Sequence, residues 1–311
     1  MPGLCVENSY FEGIMDTSDE WIVSRTGIKS RRIAAGETTA TLGENAARAA
    51  LDKSGLKPAD IGLVIFATIT PTSRVPSMAS VLCGRLGIAD APAFDLNAAC
   101  TGFIYACSAA RGMMETLGID HALIVGAETL SSITDYTDRS TAILFADGAG
   151  AAVLSRCERG GILAEYIKGR PDNDGALCCG FSALDTPFAK HDGPFSDKIT
   201  MNGKRVFVFA VESITEVIGA VLQKAGLTAD DIKWVVPHQA NTRIIKSAAG
   251  RTDIPLEKFF INLDVCGNTS SASVPIALDQ LNTAHPLSPG DKIILAGFGG
   301  GFTYGATLIE W

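Results

Sequence analysis

Apolar positions along this chain follow two alternating spacings. Short stretches with almost no polar interruption, at 62–69, 121–127 and 291–297, have the look of strands buried on both faces. Between them, apolar residues recur every three to four positions, the period of amphipathic helices. In the first half we read a helix at 39–54, a strand at 62–69, a helix at 77–87, a strand at 92–97, a helix at 101–117 and strands at 121–127 and 148–155. In the second half the pattern predicts a strand at 161–168, a helix at 203–225, a strand at 233–238, a helix at 241–250, a strand at 259–264, a helix at 271–284 and strands at 291–297 and 304–310. A repeat underlies this order. "KSGLKPADIGLVI" (Lys53 to Ile65) and "KAGLTADDIKWVV" (Lys224 to Val236) align without gaps, each reading as a helix end, a glycine cap, an acidic turn and a buried strand. Alternating strands and helices imply a mostly parallel sheet covered on both faces in each half, so we expect two similar α/β layers, divided as 1–158 and 159–311.

Composition narrows the class. The 311 residues are 47% apolar and 19% charged, enough to bury a substantial core. A net charge of -8 and the absence of a long basic run argue against general nucleic-acid binding. Apolar runs end before the roughly 18 residues of a membrane-spanning helix, and no signal-peptide pattern opens the chain. The eight cysteines are scattered without a C-x-x-C pair, which fits reduced thiols in the cytoplasm, and the vicinal Cys178 and Cys179 read as incidental.

Three residues carry the chemistry. Cys100 ends a strand-like run and opens a helix-like one, and a thiol at a helix N-terminus is expected to be drawn toward its thiolate. The second half supplies His238 in "VVPHQAN" and Asn268 in "GNTSSAS". All three fall at expected carboxyl ends of strands, where open α/β sheets gather ligands. A nucleophile with a base or donor and a carbonyl-polarising amide suggests acyl transfer.

With these residues the chain resembles the β-ketoacyl-acyl carrier protein synthase III family of thiolase-fold condensing enzymes. The likeness rests on "DTSDEWIVSRTGI" at 16–28, "AFDLNAACTGF" at 93–103, "DRSTAILFADGAGAAVL" at 138–154, "VVPHQANTRII" at 235–245, "GNTSSASVPIAL" at 267–278 and "GFGGGFTYG" at 297–305. It implies a duplicated five-layer α-β-α-β-α fold of two mixed-sheet halves. It also implies a decarboxylative condensation of a short acyl-CoA primer with malonyl-acyl carrier protein, initiating fatty acid synthesis. Cys100 would carry the acyl group, His238 and Asn268 would donate to the malonyl thioester carbonyl, and the backbone N–H groups of Cys100 and Gly300 would form the oxyanion hole. The resemblance further implies CoA contacts from Trp21, Arg25, Thr26, Arg139, Met201, Gly203, Phe207, Ala240, Asn241 and Arg243. It puts Val75, Phe145 and Phe298 at the primer pocket. An acyl carrier protein is the implied partner, with a homodimer, no metal and no cofactor beyond CoA thioesters as substrates. Arg243 and Lys246, three apart on one helix, with Lys204 and Arg205, form a basic patch suited to docking that acidic partner. Alternatives within the fold are an acyltransferase without decarboxylation and an initiator for a specialised pathway; a rival of another class is a non-catalytic CoA- or carrier-binding module.

Some motifs have plainer readings. "TSDE" at 17–20 is a capping box, "DGAGAA" leads into a strand and lacks the third glycine of a dinucleotide fingerprint, and "GFGGGF" lacks the lysine of a phosphate loop. His121, His191 and His285 read as loop or strand-edge residues, and Phe207, Phe209 and Val211 as core positions of their helix. Two features depart from the family's pattern. The first half lacks an opening strand ahead of Pro2, which either lies upstream or is partly replaced by "GLCVENS", and Val75 stands where phenylalanine is common, which puts strict acetyl selectivity in doubt.

Overall fold

The computed structural model describes residues 1–180, 186–188, 190 and 196–311; His191 lies outside the described residues. Strand β1 (Leu4–Glu7), helices α1 (Asn8–Glu12) and α2 (Asp19–Thr26), and strand β2 (Ser30–Ile33) come first. Next are α3 (Thr39–Ser54), β3 (Leu63–Ala67), α4 (Met78–Leu86), β4 (Ala93–Leu96), α5 (Gly102–Leu117), β5 (His121–Thr129), the one-turn α6 (Arg139–Ala142) and β6 (Asp147–Ser155). After them come β7 (Gly161–Gly169), β8 (Leu177–Cys178), β9 (Thr200–Met201), α7 (Gly203–Ala225), β10 (Trp234–Pro237), α8 (Thr242–Ala249) and α9 (Leu263–Cys266). The chain closes with α10 (Ser273–Ala284), β11 (Lys292–Gly299) and β12 (Thr303–Glu310).

The repeat has a physical basis at each step. Gly55 and Gly226 end α3 and α7 in the left-handed conformation, at φ 72° and 67°, which a residue with a Cβ adopts only at a cost. In the turns that follow, Asp60 accepts the Lys57 N–H at 2.7 Å and Asp231 accepts the Thr228 N–H at 2.8 Å. Each turn then delivers a buried strand: β3 inside its sheet, and β10 at the edge of its own, flanked only by a single bridge to Phe259.

Two four-stranded sheets result, in the orders β4-β3-β5-β6 and β10-β11-β12-β7. Alternation along β3 sends Leu63, Ile65 and Ala67 to one face and Val64 and Phe66 to the other, and both faces are buried. The first face packs on α5 and α10, which also cover Val236, Ile293 and Leu295 of the second sheet. The second face packs on α3 and α4 through Leu42, Leu51 and Leu82. Beyond the second sheet, α7 and α8 contribute Ile214, Val217, Val221 and Ile245. The order helix, sheet, helix, sheet, helix is the five-layer arrangement expected. Helix α7 is long and apolar enough to cross a membrane, but its apolar side is the core of the second outer layer.

Three expectations change. The second sheet is mostly antiparallel, only its β10–β11 pair being parallel, because β11, β12 and β7 run in alternating directions. The strand at 259–264 reduces to a single bridge, Phe259 to Val235, followed by a 2.9 Å bond from Phe260 N–H to the Val235 carbonyl. The Gln239 carboxamide then takes the place of a strand ladder, donating to the Phe260 carbonyl at 3.0 Å and accepting the Asn262 N–H at 3.1 Å, and the chain turns into α9. The segment "GLCVENS" does not replace an opening strand of the first sheet either. Its β1 pairs with β2 in a separate ribbon, and among the described residues the outer edge of β6 has no partner strand.

Candidate active site

Cys100 stands at the junction of β4 and α5, in a turn that begins with Ala99 at φ 46°. That left-handed backbone costs a non-glycine residue about 1 kcal/mol or more. The turn after β11 closes against it. A Cβ on Gly299 would stand 2.7 Å from the Cys100 nitrogen, so only glycine lets the two backbones approach this closely. Gly300, the expected second oxyanion donor, follows directly and lines a cavity that Cys100 shares.

The thiol is not a resting thiolate. Burial pushes its pKa up to about 12, against the pull of the Ser270 hydroxyl. The expectation from helix-terminus position alone is therefore corrected, because removing the sulfur from water outweighs the terminus.

His238 follows β10 directly and is anchored by its N–H to the Ala296 carbonyl at 2.7 Å. Its Nδ1 lies 2.6 Å from the Ser273 hydroxyl, and its ring meets Phe298 edge-on at 5.0 Å. Burial drives its pKa down to about 3, so the imidazole is neutral. Asn268 is fixed on three sides. Its N–H donates to Leu144 at 3.0 Å, its carbonyl accepts from Ala146 at 2.9 Å, and its side-chain oxygen accepts the Ser270 N–H at 3.0 Å. The carboxamide NH2 remains to face the cavity.

Cys100, His238 and Asn268 line one cavity of about 300 Å³. Trp21, Arg25, Thr26, Met201, Gly203, Phe207, Ala240 and Asn241 line the same cavity, as do Phe145 and Phe298. Arg139 and Arg243 stand just outside its wall: the first lays its guanidinium on the Trp21 ring at 4.5 Å, the second on Phe207 at 5.8 Å. Phe209 and Val211 are core residues as expected, whereas Phe207 is half-buried at the wall. The Asn241 carboxamide is already engaged, capping α8 and donating to the Arg25 carbonyl at 3.0 Å. A second cavity of about 1030 Å³ meets the first at Cys100, Phe145 and Leu177. Val75 lines neither cavity and is 88% exposed. Arg243 and Lys246 are exposed on α8 and Lys204 on α7, while Arg205 is held by Asp174 at 2.9 Å. Ser270, Ser273 and Glu128, which bear on all three central residues, carry no signal in sequence spacing.

Residues 94–170 match the family model described as 3-oxoacyl-[acyl-carrier-protein] synthase III, and residues 222–311 match the model of its C-terminal part. The beta-ketoacyl-[acyl-carrier-protein] synthase III of Clostridium beijerinckii is 46% identical over 311 residues, covering 100% of this chain and 96% of the relative. The crystal structure of 3-oxoacyl-[acyl-carrier-protein] synthase III from Aquifex aeolicus superposes with a TM-score of 0.93 at 41% identity, covering 100% of this chain and 97% of that one. The priming beta-ketosynthase of the R1128 polyketide pathway superposes with a TM-score of 0.91 at 36% identity, covering 99% and 92%. This chain belongs to the β-ketoacyl-[acyl-carrier-protein] synthase III family.

Proposed function

We propose that this chain is an initiating condensing enzyme that joins a short acyl-CoA primer to malonyl-acyl carrier protein. The observation that carries the reading is the convergence of Cys100, His238 and Asn268 on one cavity, with His238 neutral. Cys100 attacks the primer thioester and its proton leaves on CoA as the free thiol. The smaller cavity, running from Trp21 to Cys100, holds the CoA arm, and the larger one beyond Cys100 receives the acyl group. The Cys100 and Gly300 N–H groups hold the oxyanion.

The condensation half uses the other two residues. With the Ser273 hydroxyl donating to Nδ1, the His238 proton sits on Nε2 and points, with the Asn268 amide, at the malonyl thioester oxygen. Loss of carbon dioxide leaves negative charge on that oxygen, and preorganised neutral donors stabilise it. The resulting enolate carbon attacks the acyl-Cys100 thioester, the new carbon–carbon bond forms as the carbon–sulfur bond breaks, and the sulfur regains a proton from solvent. A homodimer, a cytoplasmic location, carrier docking at Arg243 and Lys246, and the division at 158/159 belong to the same reading.

Intact-protein mass spectrometry after incubation with acyl-CoAs of increasing length tests it. One acyl adduct in the wild type, absent in Cys100→Ala, is expected; no adduct from folded protein overturns the reading. A second reading, initiation of a specialised pathway, is favoured by the likeness to the R1128 priming enzyme. Turnover with a polyketide-type carrier but not with a fatty acid carrier would select it.

A further inference from the structure

The offset that aligns Lys53–Ile65 with Lys224–Val236 recurs at the active site, although α4 and α8 in between fall out of step. It sets Asn268 on Asn97, Ser270 on Ala99, Ser271 on Cys100 and Gly299 on Glu128. The geometry repeats with it. Asn97 Oδ1 accepts the Ala99 N–H at 3.2 Å, as Asn268 Oδ1 accepts the Ser270 N–H at 3.0 Å. Ala99 and Ser270 adopt φ 46° and 48°, and each is followed by a one-turn 3₁₀ segment and a buried helix. The molecule therefore holds two copies of one elbow. In the first, Gly299 has no side chain and its backbone closes directly against the Cys100 nitrogen. In the second, Glu128 occupies that position, and its fully buried carboxyl fills the space against Ser271.

Counting protons defines the state of that carboxyl. Thr68 Oγ1 at 3.1 Å and Thr70 Oγ1 at 2.6 Å reach Oε2 as donors, and the Ile69 N–H is shared between Oε2 at 3.1 Å and Oε1 at 3.2 Å. On the other side, Ser271 Oγ lies 2.7 Å from Oε1 and 2.9 Å from the Ala67 carbonyl. Ser271 owns one proton, and a carbonyl can only accept. Both contacts are separate two-centre hydrogen bonds when Ser271 donates to Ala67 and Glu128 carries a proton on Oε1 that it donates to Ser271. None of the partners of Glu128 is a cation, and burial without one also pushes its pKa up. The titratable groups that pack nearest are the Cys100 thiol and, on the paired strand β6, Asp147 opposite Thr129.

We infer that Glu128 is a positioning residue that works as a neutral carboxylic acid, pinning the turn 268–271 through Ser271 and so setting the Asn268 amide. A neutral clamp holds that turn without setting a negative charge beside Cys100 or the enolate. The inference rests on the reading that Cys100 and Asn268 serve the two half-reactions.

The test compares wild type, Glu128→Gln and Glu128→Leu, all checked by thermal unfolding. Three rates are measured: carbon dioxide release from malonyl-acyl carrier protein, Cys100 acylation by acetyl-CoA, and Cys100 alkylation by iodoacetamide from about pH 6 to 10, followed on the Cys100 peptide. Glutamine keeps both a donor and an acceptor, so Glu128→Gln is expected to retain decarboxylation within about threefold and to leave the alkylation profile in place. Glu128→Leu is expected to lose at least about tenfold in decarboxylation while acylation holds within about threefold. If Glu128→Gln alkylates about tenfold faster at a given pH, a negative charge has been removed and the neutral state is wrong. If Glu128→Leu slows both half-reactions equally as its melting temperature drops, or Glu128→Gln is as impaired as Glu128→Leu, the positioning role is wrong. A wild type that neither acylates at Cys100 nor releases carbon dioxide overturns the condensing-enzyme reading, and this inference with it; the other outcomes bear on Glu128 alone.

Discussion

At Cys100 two physical effects oppose each other. A helix N-terminus favours an anion by roughly 0.3–2 kcal/mol, whereas the rise of the thiol pKa from 9.0 to about 12 corresponds to about 4 kcal/mol against the thiolate. Burial wins, so in the proposed mechanism the nucleophile is generated only as sulfur meets the primer carbonyl. Alkylation of Cys100 in the free enzyme should therefore keep climbing beyond pH 10, and a plateau near pH 7 to 8 would overturn this. His238 shows the opposite shift and a different consequence. Its folded pKa of about 3 lies below the ordinary 6.5, so the unfolded chain takes up a proton first as pH falls. Stability is complete above 6.5 and declines toward 3, by up to about 1.4 kcal/mol per pH unit. Between pH 7.5 and 5 this amounts to about 2 kcal/mol, and denaturant unfolding of His238→Gln should lack that share of the loss. Asn268→Ala removes one preorganised donor and should slow decarboxylation by about a hundredfold or more while sparing Cys100 acylation. Equal loss in both half-reactions would contradict its assignment.

Elements differ in how far they announce themselves along the chain. The helix-end, glycine, acidic turn and strand unit was legible because each step is decided locally: Gly55 and Gly226 end helices, Asp60 and Asp231 close turns, and β3 and β10 have no polar face. The ribbon of β1 and β2 was not legible. It is four residues long on each side, and its register, Leu4 opposite Ile33, is set by contacts far apart in sequence. The same holds for 259–264, where the Gln239 side chain replaces strand pairing, and for the elbows, whose left-handed residues are alanine and serine instead of glycine. Arg31 of β2 is the clearest hidden feature. It is fully buried, donates to the carbonyls of Val6 and Ile143 and to Asn8 Oδ1, and lays its guanidinium on Phe11 at 4.5 Å. It thereby ties the ribbon and α1 to Ile143, which lines the smaller cavity. Arg31→Ala removes the donor of two buried acceptors, Asn8 Oδ1 and the Ile143 carbonyl, and of the half-buried Val6 carbonyl, and should cost about 3 kcal/mol or more, read as a lowered denaturant midpoint. An unchanged midpoint would show that water satisfies those groups and that the ribbon stands without the arginine.

Across the whole molecule, the charge distribution separates the two substrates. The chain carries a net charge of -8, so an acidic carrier protein meets general repulsion and needs a local basic face to dock productively. In the proposed docking, helix α8 would supply one through Arg243 and Lys246, with Lys204 exposed on α7, whereas the charge of Arg205 is met by Asp172 and Asp174. Arg243 and Lys246 lie one turn apart but should behave differently. Arg243 rests over Phe207 at the wall of the smaller cavity, so reversing its charge touches the CoA arm as well as the carrier. Lys246, one turn farther along α8, does not line that cavity. Lys246→Glu should therefore raise the Michaelis constant for malonyl-acyl carrier protein by about three- to tenfold at low salt, leaving acylation of Cys100 by acyl-CoA unchanged. The difference should shrink as ionic strength rises toward 0.5 M, where charges more than about 4 Å apart are screened. A carrier Michaelis constant that does not move, or a loss that appears equally with acyl-CoA, would place docking on another face.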